Sequence, residues 1–269
     1  MIIIIKNIIA FVCNIFGISN LYFYLLGKHF DNNYIRVINY HGTGKEYLDL
    51  FDRQLTYLEK KFEITDYETF KSFLNDKYSF SKKPGLLITF DDGFISNYEY
   101  GINILKKHNI KGLFFVSSEK NGETDPKYIS HKQLKEMDDL GHSIGDHTAT
   151  HYRFTEKDDD EKLQHEIIDS KHQLEEVICK DIDSFCFVGG ELPVYTEKAY
   201  KLIKDNYDYC FTTLTQVSTK STNKKLVHRT NIESHWNLNL VRFQISGLWD
   251  LYYKNKAHYV ENKLLHSNL

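Results

Sequence analysis

Apolar and polar positions in this chain alternate between two rhythms. Short, continuous apolar runs recur at Arg36 to Tyr40, Leu86 to Phe90, Gly112 to Val116, Ser143 to Gly145, Phe185 to Val188, Tyr209 to Thr213 and Leu226 to Thr230. Runs without a polar residue at every second place suit strands buried on both faces of a parallel sheet. Between them apolar residues return at helical spacing, in Leu48, Phe51, Leu55, Leu58 and Phe62, and again in Leu163, Ile167, Leu174, Val177 and Ile178. Strand and helix in alternation predict βα units around a parallel sheet. Thr155 and Asp158 stand where they can cap the second stripe, and the acidic run Glu156 to Glu161 lies where the helix dipole is positive.

The first 30 residues follow a different pattern. Ile2 to Leu26 is mostly apolar, and the part after Lys6 approaches the length of a bilayer span. Asn7, Asn14 and Asn20 recur at near-heptad spacing, with Gly17 and Ser19 among them, and draw a polar stripe along one helix face. Such a stripe suits an amphipathic helix on a membrane surface or on its own domain, with a transmembrane anchor as the alternative. A cleaved leader fits less well, because Met1 is followed directly by four isoleucines and no Ala-x-Ala-like site appears. The expected division is residues 1–30 as this helical unit and 31–269 as one domain, membrane-associated or cytoplasmic rather than secreted.

Composition narrows the class. A chain of 269 residues with 41% hydrophobic content can bury one large core, and three prolines with no Gly/Ser-rich linker or repeat leave no internal boundary. A formal charge of −3 without a basic run excludes nucleic-acid binding through phosphate neutralisation. Cys13, Cys179, Cys186 and Cys210 are scattered, with no Cys-x-x-Cys spacing, and read as reduced and mostly packed.

Chemistry concentrates in two segments. Thr89-Phe90-Asp91-Asp92-Gly93 ends the apolar run Leu86-Leu87-Ile88, so two adjacent carboxylates stand where a buried strand meets solvent. Asp-Gly also marks an ordinary turn, and both readings stand on this segment alone. The second segment, Gly141 to His151, holds His147 and His151 four residues apart. With 13 histidines in the chain, such a pair can arise by chance. Joined to a carboxylate, the two imidazoles make a three-ligand site with an open position, the arrangement of catalytic zinc; cobalt and nickel suit the same donors.

These two segments resemble the first two motifs of the NodB-like polysaccharide deacetylases, carbohydrate esterase family four, and from Arg36 to Asp250 the order of features is similar to that of members found among surface-polysaccharide enzymes. The resemblance implies an α/β fold, a distorted (β/α)7-type barrel of parallel strands with surrounding helices. It implies Asp91 as catalytic base and Asp92, His147 and His151 as ligands of a divalent metal, zinc foremost. The reaction it implies is removal of an N-acetyl group from an amino sugar of a surface polysaccharide or lipid-linked glycan. A sugar N-deformylase is the close rival, and a glycan-binding pseudoenzyme is the contrasting class.

The chain departs from the family at the third motif, where Phe185-Cys186-Phe187-Val188-Gly189-Gly190-Glu191 replaces an arginine-containing segment. Gly189 is the candidate backbone donor to an oxyanion, and Gly190 the residue that permits close approach of substrate. Arg229 resembles an arginine that recurs after the seventh strand in the biosynthetic group and is placed to orient Asp91, or else to pair with any nearby carboxylate. The proton donor is open: Leu264-Leu265-His266 lies in the tail, His228 sits on a strand, and His41 ends the first strand, a pocket position. His108, His131 and His142 read as packed or solvent-facing.

Overall fold

The computed structural model describes residues 2–265, with side chains from residue 4. Two helices come first, α1 (Ile2–Ile15) and α2 (Ile18–His29), followed by β1 (Ile35–Tyr40), α3 (Leu48–Lys61), β2 (Glu63–Thr65), α4 (Tyr67–Leu74) and β3 (Gly85–Phe90). A π-helical turn at Asn97–Gly101 leads into α5 (Ile102–Lys107), then β4 (Leu113–Val116), α6 (His131–Asp139) and β5 (Ser143–Asp146). The next helix is built in three pieces, α7 (Asp160–Leu163), a π-helical stretch at Gln164–Asp169 and α8 (Ser170–Ile178). The chain then forms β6 (Ser184–Cys186), α9 (Glu197–Asn206), β7 (Tyr209–Phe211), β8 (Thr230–Asn231), α10 (Leu238–Ile245) and α11 (Leu248–Leu265).

All strand pairs are parallel, in the order β7-β6-β5-β4-β3-β1-β8, with β2 beside β3. The lower half of β3 pairs with β2 and its upper half with β4, while β1 runs along its other edge, so β3 is paired with three strands. The sheet curls into an incomplete barrel. Val227 bridges to Phe211 of β7 while Thr230 and Asn231 pair with β1, so residues 226–231 draw the two edges together. The α/β barrel expected from the resemblance is the fold observed.

One apolar layer lies between the sheet and its outer helices, as in Ile38, Leu86, Ile88 and Phe114 with Leu55, Met137 and Ile167. The second fills the barrel interior, with Val37, Leu87, Leu113, Phe115 and Phe211, and is plugged from below by Phe70 and Phe73 of α4. Side chains alternate along a strand, so the residues that continue the inner face upward are Asn39, Thr89 and Asp91. Polarity therefore rises toward the carboxyl ends of the strands, where parallel-barrel sites form.

Several expectations need correction. The strand placed at Leu226 to Thr230 is regular only at Thr230–Asn231, because this stretch bridges two strands instead of lying along one. Phe185 to Val188 shortens to a strand ending at Cys186. Thr155 and Asp158 bond each other in a turn, and Asp159 caps α7 by accepting from the Lys162 N–H. The N-terminal unit is two helices that bend by 75°, with Gly17 at φ 70 between them. The bend breaks the phase of the asparagine stripe: Asn7 and Asn14 meet the domain, while Asn20 is exposed.

Candidate metal centre

Three of the residues singled out from the sequence converge above the barrel. One donor atom each from Asp92, His147 and His151 lies within 4.8 Å of the others. Asp92 Oδ1 is 2.9 Å from His151 Nε2 and 3.6 Å from His147 Nε2. His147 Nδ1 lies 2.8 Å from the Cys186 carbonyl, which can only accept, so the ring proton sits on Nδ1. The Nε2 lone pair of His147 and the Asp92 carboxylate thus face each other as two acceptors with no proton between them. That pairing, with the open side toward His151, fits a divalent cation. Burial raises the Asp92 carboxyl, but its imidazole neighbours, His147 and His151 foremost and then His41, outweigh it and hold the group far below the ordinary carboxylate range.

The backbone bends unusually to gather these donors. Asp92, Thr148 and His151 have φ of 71°, 66° and 60°, in the left-handed region that side-chain-bearing residues seldom occupy. Strain of this kind persists when surrounding bonds fix it. The Tyr152 N–H donates to Thr148 Oγ1 at 2.7 Å, and the buried Glu166 carboxylate accepts from the Thr150 N–H at 2.9 Å and the Thr150 hydroxyl at 2.6 Å. Glu166 sits on the π-helical stretch, whose widened turn is a common device at functional sites. The His147 and His151 spacing is therefore served by a tight loop after β5.

Asp91 lies directly beneath, 1% exposed. Arg229 grips it with both guanidinium arms, Nη1 to Oδ1 at 2.7 Å and Nη2 to Oδ2 at 2.8 Å. The remaining donors of Arg229 reach the Thr212 carbonyl, Thr89 Oγ1 and Cys186 Sγ, so all five N–H groups are engaged. The segment 226–231, which bridges to β7 beside β6, brings Arg229 to the place where the chain lacks an arginine after β6. Burial pushes the Asp91 carboxyl up, but the Arg229 charge foremost, with His147, Arg229's hydrogen bonds and His41, holds it below its usual range.

His41 follows β1 on the same rim, its side chain 38% exposed, with Nδ1 2.8 Å from Glu233 Oε1. Burial alone would lower this imidazole. The hydrogen bond to Glu233 and the negative charges of Asp91, Glu233 and Asp92 lift it instead to about 9. Gly189 turns the chain after β6 at φ 83°, and its carbonyl accepts from Thr213 Oγ1 at 3.0 Å. No hydrogen bond engages its N–H among the described residues. Gly190 is committed to the fold: its N–H donates to Glu191 Oε2, and a Cβ there would lie 2.3 Å from Thr213 Oγ1.

Other histidines singled out from the sequence are engaged elsewhere, as the exposed His131 is beside Asn121. His228 is buried, with Nδ1 against Thr212 Oγ1 and Nε2 against Glu261, away from Asp91 because its neighbour Arg229 takes the inward direction. His142 packs on Phe114, and His108 bonds Asp52 and Glu59. His266 lies outside the described residues. Sequence reasoning missed Asn39, which donates to Asp91 Oδ2 at 3.3 Å, together with Glu166 and Glu233. Asn39 had a signal, a lone amide within the apolar run Arg36 to Tyr40. Glu166 and Glu233 had none, being carboxylates among many.

Residues 80–207 match the family model for polysaccharide deacetylase. The chain is 32% identical over 119 residues to the peptidoglycan-N-acetylglucosamine deacetylase of Bacillus cereus, 44% of this chain and 49% of that protein. It spans about half the length of the curated relatives it matches. Among solved structures, the Streptococcus pyogenes deacetylase PplD in complex with acetate aligns with a TM-score of 0.68 at 23% identity, covering 78% of this chain and 98% of that one. IcaB from Ammonifex degensii aligns with a TM-score of 0.67 at 20% identity, covering 81% and 97%. At these identities the structural likeness speaks for the fold.

Proposed function

We propose, from the match of residues 80–207 to the polysaccharide deacetylase family model and the geometry of the site, that the protein is a metal-dependent hydrolase that removes N-acetyl groups from amino sugars of a glycan, polymeric or lipid-linked. One observation carries the reading: a buried carboxylate, Asp91, is held anionic by Arg229 next to a donor trio that leaves one side open. A binding module has no use for that second carboxylate.

Asp92, His147 and His151 would hold the cation, zinc by the character of one carboxylate and two imidazoles, with cobalt and nickel as alternatives. When bound, such an ion supplies Lewis acidity to a water and to the acyl carbonyl. Asp91 accepts the proton of the attacking water, and the bidentate contact fixes its plane so that no reorientation is needed. The unengaged Gly189 N–H is the candidate donor to the developing oxyanion. His41 is the candidate proton donor to the departing amine: Glu233 fixes Nδ1, and the raised affinity for a proton keeps Nε2 loaded at neutral pH.

Acetate release from N-acetylglucosamine oligomers and from purified peptidoglycan, measured alongside metal content, tests the assignment. Asp92→Ala and His147→Ala should lose the metal. Asp91→Asn should keep it and lose roughly 10²- to 10⁴-fold in rate. Undiminished acetate release by Asp91→Asn would overturn the role of Asp91, and metal-replete wild type that binds these glycans without releasing acetate would make the protein a binder.

A further inference from the structure

On α1 the usual rule of burial is reversed. The face toward the domain carries Lys6, Asn7, Ala10, Cys13 and Asn14. Asn14 donates to the Asn239 carbonyl at 2.7 Å, and Asn237 donates to Asn7 Oδ1 at 3.0 Å. The Lys6 ammonium lies 4.9 Å and 4.8 Å from the ring centroids of Trp236 and Trp249. The opposite face is aliphatic and aromatic: Ile8 is 58% exposed, Phe11 53%, Ile15 63%, and past the bend Phe16 75% and Leu21 58%. Water rewards the opposite arrangement.

We propose that α1 and α2 lie flat in the interfacial layer of a lipid bilayer, apolar face inward, and seat the barrel against the membrane. Charge favours lipid as the occupant, since residues 1–30 contain no Asp or Glu and the exposed Lys28 near the end of α2 complements anionic headgroups, while Lys6 is held by the domain. Aromatic rings flank the patch as they do at membrane–water boundaries: Tyr24 is 58% exposed, and on α11 Tyr252 is 72% exposed and stacks on Trp249. A groove of about 400 Å³ beside α1, lined by Ile4, Ile8 and Phe11 with Asn237 and Asn239, has the apolar wall an acyl chain needs.

Length argues for lying over spanning. Helices of 14 and 12 residues reach roughly 21 and 18 Å, each short of a hydrocarbon core of about 30 Å. Among the described residues no single helix is long and apolar enough to cross, and straightening the 75° bend into one span would break the asparagine bonds to α10. A second copy of the chain is less suited to the patch, because an aliphatic face with only positive charge beside it offers nothing to set a register.

Cosedimentation of the full chain with vesicles tests this, using phosphatidylcholine alone and phosphatidylcholine with phosphatidylglycerol. The protein should bind the anionic vesicles more tightly, lose part of that binding in high salt, and come off in alkaline carbonate. Phe11→Asp and Leu21→Asp should each weaken partitioning by at least about tenfold, with metal content unchanged as the check on folding. Leu140→Asp, at the exposed end of α6, should bind as wild type does. Retention through carbonate overturns the proposal in favour of a spanning anchor. Failure of wild type to bind either vesicle overturns it too, and a lipid-free dimer abolished by Phe11→Asp would then identify a second copy as the occupant.

Discussion

At the scale of single residues, the sharpest dependence is that of Asp91 on Arg229. Removing one partner of a buried ion pair strands the other, at a typical cost of 3–5 kcal/mol, whereas removing both charges costs far less. Arg229→Met should therefore lower stability by about 3–5 kcal/mol, and Asp91→Asn placed on top of it should restore much of the loss while leaving the protein inactive. Urea unfolding of the four proteins measures this, and an Arg229→Met variant as stable as wild type would refute the coupling. The distinction separates holding a charge from using it. From sequence, Asp91 and Asp92 were legible because strand, carboxylates and glycine are contiguous. The company of Asp91 was only partly so: Arg229 stands 138 residues away, and nothing in its neighbours reveals that all five of its donors point inward.

Elements, rather than residues, decide whether the imidazoles can meet. His147 and His151 share a loop whose left-handed turns are held by Glu166 from a neighbouring helix. Glu166→Ala should leave both imidazoles in place yet weaken metal affinity by roughly 10- to 100-fold, the usual effect of losing a support behind a ligand. Competition with a chromogenic chelator reads this directly, and unchanged affinity would show that the loop holds its shape alone. Helical periodicity marked Leu163, Ile167 and Leu174 as one stripe but could not show the π-helical stretch within it, since the spacings of four and seven residues are those an unbroken α-helix also gives. The three-residue β2 escaped notice for a related reason: Glu63–Thr65 is too short to display a period. The same limit applied to the N-terminal pair, where composition announced apolar helices and only the turn at Gly17 divides them.

For the whole molecule, pH acts through a histidine remote from the site. His142 is 5% exposed, accepts from the Gly112 N–H at 3.1 Å and packs edge-on against Phe114, with the Lys111 ammonium as the charge bearing on it. Burial first, and Lys111 second, lower it from 6.5 to about 4. The unfolded chain binds this proton more readily than the folded one, so its contribution to stability is intact above about 6.5 and is lost as pH falls toward 4. The loss approaches roughly 3 kcal/mol. His142→Gln, which keeps an acceptor and does not titrate, should close its stability gap to wild type between pH 7.5 and 4.5. Metal-free urea melts at the two pH values decide it, and a constant gap would remove His142 from the acid limb.

The barrel itself was readable from the order of apolar runs, because parallel strands advertise their burial in sequence. Its closure was not, since residues 226–231 serve two strands at once and conform to neither. That closing segment also sets an order in time. In a chain emerging from the ribosome, Asp92, His147 and His151 thus precede the two residues, Arg229 and Glu233, that brace Asp91 and His41.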